Sequence, residues 1–148
     1  MIKVLMVCHG NICRSPMAEF LLKDMVAKRG IASQFDIASA ATSREEIGNP
    51  VHHGTRKKLA QFGISVAGKT ARQMTRRDYE NYDYIIAMDR NNLRNITASL
   101  AVMNITRLAC SLTLQVGSDK ASLTLGTLAI LILLMTISSK AWMVFLNI

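Results

Sequence analysis

Proline is nearly absent from this chain: Pro16 and Pro50 are the only two, and none follows residue 50. Aromatic residues make up 5% of the sequence, too few to alternate with basic side chains as a stacking platform, so no nucleic-acid partner is expected. Acidic residues are outnumbered, 10 against 18 Lys and Arg, for a net charge of +8. That balance favours anionic partners, and with nucleic acid set aside a phosphorylated substrate suits it. The three cysteines, Cys8, Cys13 and Cys110, cannot form an even disulfide framework. The three histidines, His9, His52 and His53, lack metal-ligand spacing, so no metal and no cofactor are expected, and His52-His53 reads as a solvated pair in a loop. The opening apolar run Ile2 to Val7 is too short for a signal peptide. At 148 residues the length suits one domain with a core of its own.

The stretch Val7-Cys8-His9-Gly10-Asn11-Ile12-Cys13-Arg14-Ser15-Pro16 organises the rest. An apolar run leads into it and an amphipathic run, Met17 to Arg29, leads out. Strand, tight loop and helix N-terminus in that order make an anion site, because loop N–H groups point inward and the helix dipole adds partial positive charge. Cys8 opens the loop and Arg14 closes it. A thiol held among N–H dipoles beside a guanidinium ionises readily. The planar fork of Arg14 matches two oxygens of a phosphate. Together they describe a thiol that attacks phosphorus. Two of the three cysteines lie in this loop, which argues for a reducing compartment, hence the cytoplasm.

Hydropathy patterning predicts an α/β fold with a parallel sheet, flanking helices and a phosphate-binding loop after the first strand. Ile2 to Val7 forms the first buried strand. Ser15 is a suitable N-cap with Pro16 at the first helical position. Met17, Phe20, Leu21 and Met25 mark the apolar stripe of the following helix, and Gly30 terminates it. Phe35 to Ala41 is a second strand and Thr42 to His53 a polar loop. Thr55 to Phe62 is a helix stopped by Gly63, and Met74 to Tyr82 is a short charged helix. Asp83 to Asp89 is a strand, and Asn91 to Thr97 begins a helix. In such sheets ligands bind beyond the carboxyl ends of strands, so Cys8 and Asp89 are expected to face one crevice.

The string Cys8-His9-Gly10-Asn11-Ile12-Cys13-Arg14-Ser15-Pro16-Met17-Ala18-Glu19 resembles the low-molecular-weight protein tyrosine phosphatases. Their pattern is matched at Cys8, Gly10, Asn11, Cys13, Arg14, Ser15 and Pro16. Gly48-Asn49-Pro50, Ala71-Arg72-Gln73 and Ile86-Ala87-Met88-Asp89-x-x-Asn92-Leu93 resemble downstream segments of the same family. The resemblance implies a phosphomonoester hydrolase acting through a cysteinyl-phosphate on a phosphotyrosine-containing protein or a small aryl phosphate. Cys8 is then the nucleophile. Arg14 and the N–H groups of His9 to Ser15 bind the phosphoryl oxygens. It further implies that Asn11 shapes the loop, that Ser15 donates to the thiolate, and that Cys13 serves as redox partner of Cys8. Read from the residues alone, Asn11 is equally an ordinary left-handed turn residue and Cys13 a small core thiol. Family members often set an aromatic side chain beside the pocket, and Ser43-Arg44-Glu45-Glu46-Ile47 offers none.

Residues 1–97 thus form a phosphatase-like α/β domain, and 98–148 a divergent apolar segment. From Ala98 onward there is one acidic residue, Asp119, and the only bases are Arg107, Lys120 and Lys140. Ile105 to Val116 could form a strand, and Ala121 to Ser139 carries no charge. Three readings compete, in this order: a frame-shifted product, a membrane anchor over 121–139, and a buried core helix. Membrane tethering is therefore the alternative to a cytoplasmic protein. The family takes its general acid from an Asp-Pro dipeptide, and these 148 residues contain none. Asp119 does not inherit the role, because its neighbours do not match, so the general acid is unknown. Two rival functions remain: a catalytically dead phosphate-binding pseudophosphatase, and a thiol-based arsenate reductase. The second would need resolving cysteines, and Arg72 to Asp89 has none.

Overall fold

A computed structural model of the chain describes residues 1–100 and the short strand 108–110, with side chains described through residue 99. Four parallel strands form one sheet in the order β2-β1-β3-β4: β1 (Ile2–Cys8), β2 (Phe35–Ala41), β3 (Tyr84–Ala87) and β4 (Leu108–Cys110). The helices are α1 (Arg14–Lys28), α2 (His53–Ala60), α3 (Arg76–Asn81) and α4 (Arg90–Leu100). After β1 the chain builds β2 on one side, then passes back across β1 to build β3 on the other. Strand order reverses between β1 and β3, which is where such sheets open a crevice. The expected α/β architecture is thus present, and β4 lies within the strand expected over 105–116. Asp119 and the segment 121–139 lie outside the described residues.

The sheet is covered on both faces, as an all-parallel sheet requires. Val4, Met6, Ile37 and Ile86 pack with Leu22 and Val26 of α1 on one face. Leu5, Val7, Ala40 and Ile85 pack on the other with Ile96 of α4, and Met74, Tyr79 and Tyr82 close that layer. Outside α1 lies a further cluster, in which Val51, Leu59 and Val66 meet Met17, Phe20 and Leu21. The helix is therefore apolar on two sides. The expected stripe Met17, Phe20, Leu21 and Met25 is corrected accordingly: the sheet-facing residues are Ser15, Glu19, Leu22 and Val26, and Met17, Phe20 and Leu21 face the α2 layer.

The start of α1 differs from expectation. It begins at Arg14 with Cys13 at the N-cap, and no side chain caps it. Ser15 and Pro16 sit inside the first turn, where Pro16 is tolerated because its missing N–H would have no helical partner there. Ser15 does not cap because its hydroxyl is turned to the Cys8 sulfur. The helix ends as expected at Gly30, φ +70°, with Gly30 N–H donating to Ala27 O and Ile31 N–H to Val26 O. Asp89 ends no strand, since β3 stops at Ala87. Its carboxylate instead accepts from Asn92 N–H at 2.7 Å at the start of α4.

Candidate active site

The loop from Cys8 to Arg14 lies at the carboxyl end of β1, the central strand, and runs directly into α1. Four of its carbonyls are claimed by backbone N–H groups. Cys8 O accepts from Thr42 N–H at 2.8 Å, His9 O from Ser43 N–H at 3.0 Å, Ile12 O from His52 N–H at 2.9 Å and Cys13 O from Met17 N–H at 3.1 Å. In a trans peptide the N–H points opposite to the C=O. The N–H groups of His9, Gly10, Cys13 and Arg14 therefore turn to the concave side of the loop, where an anion would be cradled.

Asn11 holds the curve. Its φ of 58° is the one left-handed value at a non-glycine position among the described residues, a conformation asparagine tolerates better than most. Its N–H donates to Cys8 Sγ at 3.3 Å. Its Nδ2 donates to Ser15 Oγ at 2.9 Å and to Ser39 Oγ at 2.7 Å, and its Oδ1 accepts from Arg72 N–H at 3.2 Å. Cys8 Sγ lies 2.9 Å from Ser15 Oγ. Gly10 serves the other side. A Cβ there would come within 3.1 Å of Glu46 Cγ, so a larger residue would push the Glu46 side chain aside by a few tenths of an ångström.

Arg14 Nη1 donates to Asp89 Oδ2, which brings the end of β3 to the loop as the sequence suggested. Burial would raise the Asp89 carboxyl, but the Asn92 N–H and the Arg14 guanidinium outweigh it and hold Asp89 below the usual carboxylate range. Asp89 is thus ionised at neutral pH and carries no proton to give. Burial pushes the Cys13 thiol up, so Cys13 stays protonated where an ionised neighbour would react. At the rim, His9 Nε2 lies 3.1 Å from Glu45 Oε2. His52 is not merely a loop residue: its Nδ1 accepts from Gly54 N–H at 3.2 Å and caps α2, while its ring lies 4.2 Å from that of His53.

Three residues beneath the loop had no role assigned from the sequence: Glu19, Ser39 and Lys69. Glu19 Oε2 accepts from Ser39 Oγ at 2.5 Å and lies 3.1 Å from Lys69 Nζ. One signal was available. Ser15, Glu19, Leu22 and Val26 share one helical face, and a carboxylate on an apolar stripe marks a buried polar contact.

A doubly wound parallel sheet with a Cys-x5-Arg loop at its switch point defines the cysteine-nucleophile phosphatase class. The sequence profile of the family described as "Low molecular weight phosphotyrosine protein phosphatase" matches residues 3–118. The low molecular weight protein-tyrosine-phosphatase YfkJ of Bacillus subtilis is 42% identical over 121 residues, 82% of this chain and 78% of that protein. The human low molecular weight phosphotyrosine protein phosphatase is 43% identical over 93 residues, 63% of this chain and 58% of that protein. The crystal structure of YfkJ superposes with a TM-score of 0.77 at 35% identity, covering 99% of this chain and 95% of that one. The chain belongs to the low molecular weight phosphotyrosine protein phosphatase family.

Proposed function

We propose that this chain is a protein tyrosine phosphatase that hydrolyses phosphomonoesters of phosphotyrosine or of small aryl phosphates in two steps. Cys8 thiolate attacks phosphorus in line and the aryl oxygen leaves, giving a cysteinyl-phosphate. Water then attacks that phosphorus, releasing phosphate and restoring the thiolate. Arg14 and the N–H groups of residues 9–15 stabilise charge on the equatorial oxygens in both steps. Asn11 keeps the loop curved, Ser15 donates to the sulfur, and Cys13 closes on Cys8 under oxidation. The observation that carries this reading is the Cys8 sulfur at the base of a loop four of whose carbonyls are held by N–H groups around it.

The domain assignment follows from the same reading: 1–97 carries the machinery and 98–148 is the divergent segment, although the family profile runs on to residue 118. The sequence has no Asp-Pro and Asp89 is ionised, so neither gives the leaving oxygen a proton. General acid catalysis contributes about 10²–10⁴-fold, most for poor leaving groups. The chain should therefore turn over p-nitrophenyl phosphate slowly, phosphotyrosine more slowly and alkyl phosphates hardly at all. The missing donor also favours the pseudophosphatase reading, and one experiment separates the two: turnover of p-nitrophenyl phosphate by the parent and by Cys8→Ser. Hydrolysis by the parent, absent in the variant, supports the phosphatase. Protection of Cys8 from iodoacetate by phosphate, without turnover, leaves a binding protein. Hydrolysis that Cys8→Ser leaves intact overturns both.

The reducing environment that a reactive thiol needs supports a cytoplasmic protein. Among the described residues no helix is long and apolar enough to cross a membrane. The alternative, a tether through 121–139, would leave the full chain in the membrane pellet after carbonate extraction.

A further inference from the structure

Thr42 and Ser43, just after β2, hold two carbonyls of the phosphate loop, and His52 at the start of α2 holds a third. We propose that the His52 side chain is a positioning residue: by capping α2 it fixes the Ile12–Cys13 peptide of the loop, so that the Cys13 N–H faces the phosphoryl group. The inference rests on the reading of the loop as the phosphoryl site.

The coupling runs through one peptide plane. His52 N–H donates to Ile12 O at 2.9 Å. Ile12 O and Cys13 N–H belong to the same trans peptide and point in opposite directions. Whatever fixes that carbonyl therefore aims that N–H. Cys13 is the N-cap of α1, so its N–H has no helical partner and is left for an anion. Donors of this kind count most in the transition state, where charge grows on the transferring oxygens.

Residue 52 is the joint on which the aim depends. Before it, Val51 is buried among Leu59, Val66 and the α1 residues Met17, Phe20 and Leu21. After it, α2 begins. His52 itself is extended, with φ −50° and ψ 140°. Its backbone serves both sides: the N–H goes to the phosphate loop, and the carbonyl accepts from Arg56 N–H at 3.0 Å in the first turn of α2. The side chain fixes the angle between them. Nδ1 accepts from Gly54 N–H at 3.2 Å, and the first turn of α2 has no acidic residue that could do the same. Gly54 leaves the ring its place, since a Cβ there would lie 3.3 Å from Nδ1 and 3.4 Å from Cε1. The His53 ring packs beside it, 4.2 Å between centroids.

The test uses the full chain, well below its melting temperature, with two readouts. One is the vanadate concentration that half-protects Cys8 from iodoacetate, which needs no turnover. The other is kcat and KM on p-nitrophenyl phosphate. His52→Ala keeps the N–H but removes the cap. Complete loss of an oxyanion donor costs about 10²–10³-fold; a donor that is misaimed should cost about tenfold in kcat and in vanadate protection, with KM changed by less than about twofold. His52→Asn, whose side chain can accept from the same helical N–H, should restore the parent values. Gly54→Ala favours the helix by propensity yet crowds the ring, and should weaken vanadate protection about twofold. Parent values in a folded His52→Ala overturn the proposal, and so does a failure of His52→Asn to restore them. Should His52→Ala not fold, Gly54→Ala decides: protection equal to or better than the parent's overturns it. Protection weakened in His52→Ala and restored in His52→Asn, without hydrolysis of any phosphate ester by the parent, would uphold the positioning role and overturn the phosphatase reading instead.

Discussion

Beneath the phosphate loop, Asn11, Ser15 and Ser39 are at most 1% exposed and each makes at least two side-chain hydrogen bonds. At its rim, the His9 and Glu45 side chains are 51% and 72% exposed and meet in a single contact. The same seven residues are thus held rigidly from one side and loosely from the other. Buried polar groups are costly unless satisfied, so the underside tolerates little change. An exposed ion pair contributes about 0–1 kcal/mol and is screened by salt, so the rim can vary without unfolding anything.

The largest effect expected is at the fork. Arg14→Lys keeps the charge but loses bidentate geometry and the tie to Asp89. Loss of an oxyanion donor costs about 10²–10³-fold in kcat, and Arg14→Ala should cost more. Steady-state kinetics on p-nitrophenyl phosphate checks both. An Arg14→Lys variant equal to the parent in rate and vanadate affinity would break the bidentate assignment.

Asn11 separates backbone from amide. Asn11→Ala loses the underside ties and places an unsuited residue at φ 58°, and should destabilise by about 2–4 kcal/mol. Asn11→Gly relieves the backbone cost alone and should recover about 1 kcal/mol of it. Urea denaturation of the two variants measures the difference; identical midpoints would show that φ contributes nothing.

Stability should fall towards acid as three paired carboxylates take up protons. Glu19, Asp78 and Asp89 are all held below the usual carboxylate range in the folded chain, each against the opposing effect of burial. The unfolded state therefore binds more protons over that interval, and stability rises with pH through it. The contribution is complete above about pH 4–5 and is lost as pH falls through the depressed values. Thermal melts from pH 7 down to pH 3 should show Glu19→Gln with a shallower decline than the parent.

The smallest effect is at the rim. Glu45→Gln should change stability by less than about 0.5 kcal/mol and alter kcat/KM only a few-fold, in a way that high salt erases. A large loss of stability there would erase the contrast between the two sides.

Much of this was legible in the sequence, for reasons that differ by residue. The apolar runs of β1 and β2, the terminators Gly30 and Gly63, and the Cys8 to Arg14 spacing are local signals that the fold obeys. The start of α1 was misread because Ser15 satisfies every local rule for a cap, while a sulfur seven residues earlier claims its hydroxyl. The roles of Ser39 and Lys69 could not be read locally. Ser39 reaches the loop from 28 positions away through the parallel pairing of β1 with β2, and Lys69 from 58 positions away on the segment between α2 and α3, distances no short window contains. Asp89 was placed correctly at the crevice but not in its double duty, one oxygen on α4 and one on Arg14.

Because β1 pairs with β2 on one edge and β3 on the other, its amides have no frayed side through which to meet solvent. Partial openings that release an outer strand still leave β1 paired on the other side. Deuterium should therefore enter Met6 and Val7 only with the unfolding of the whole molecule, whereas the amides of residues 44–46, outside any strand or helix, should exchange far sooner. The exchange rate of two strand residues thus becomes a clock for how often the machinery beside them ceases to exist.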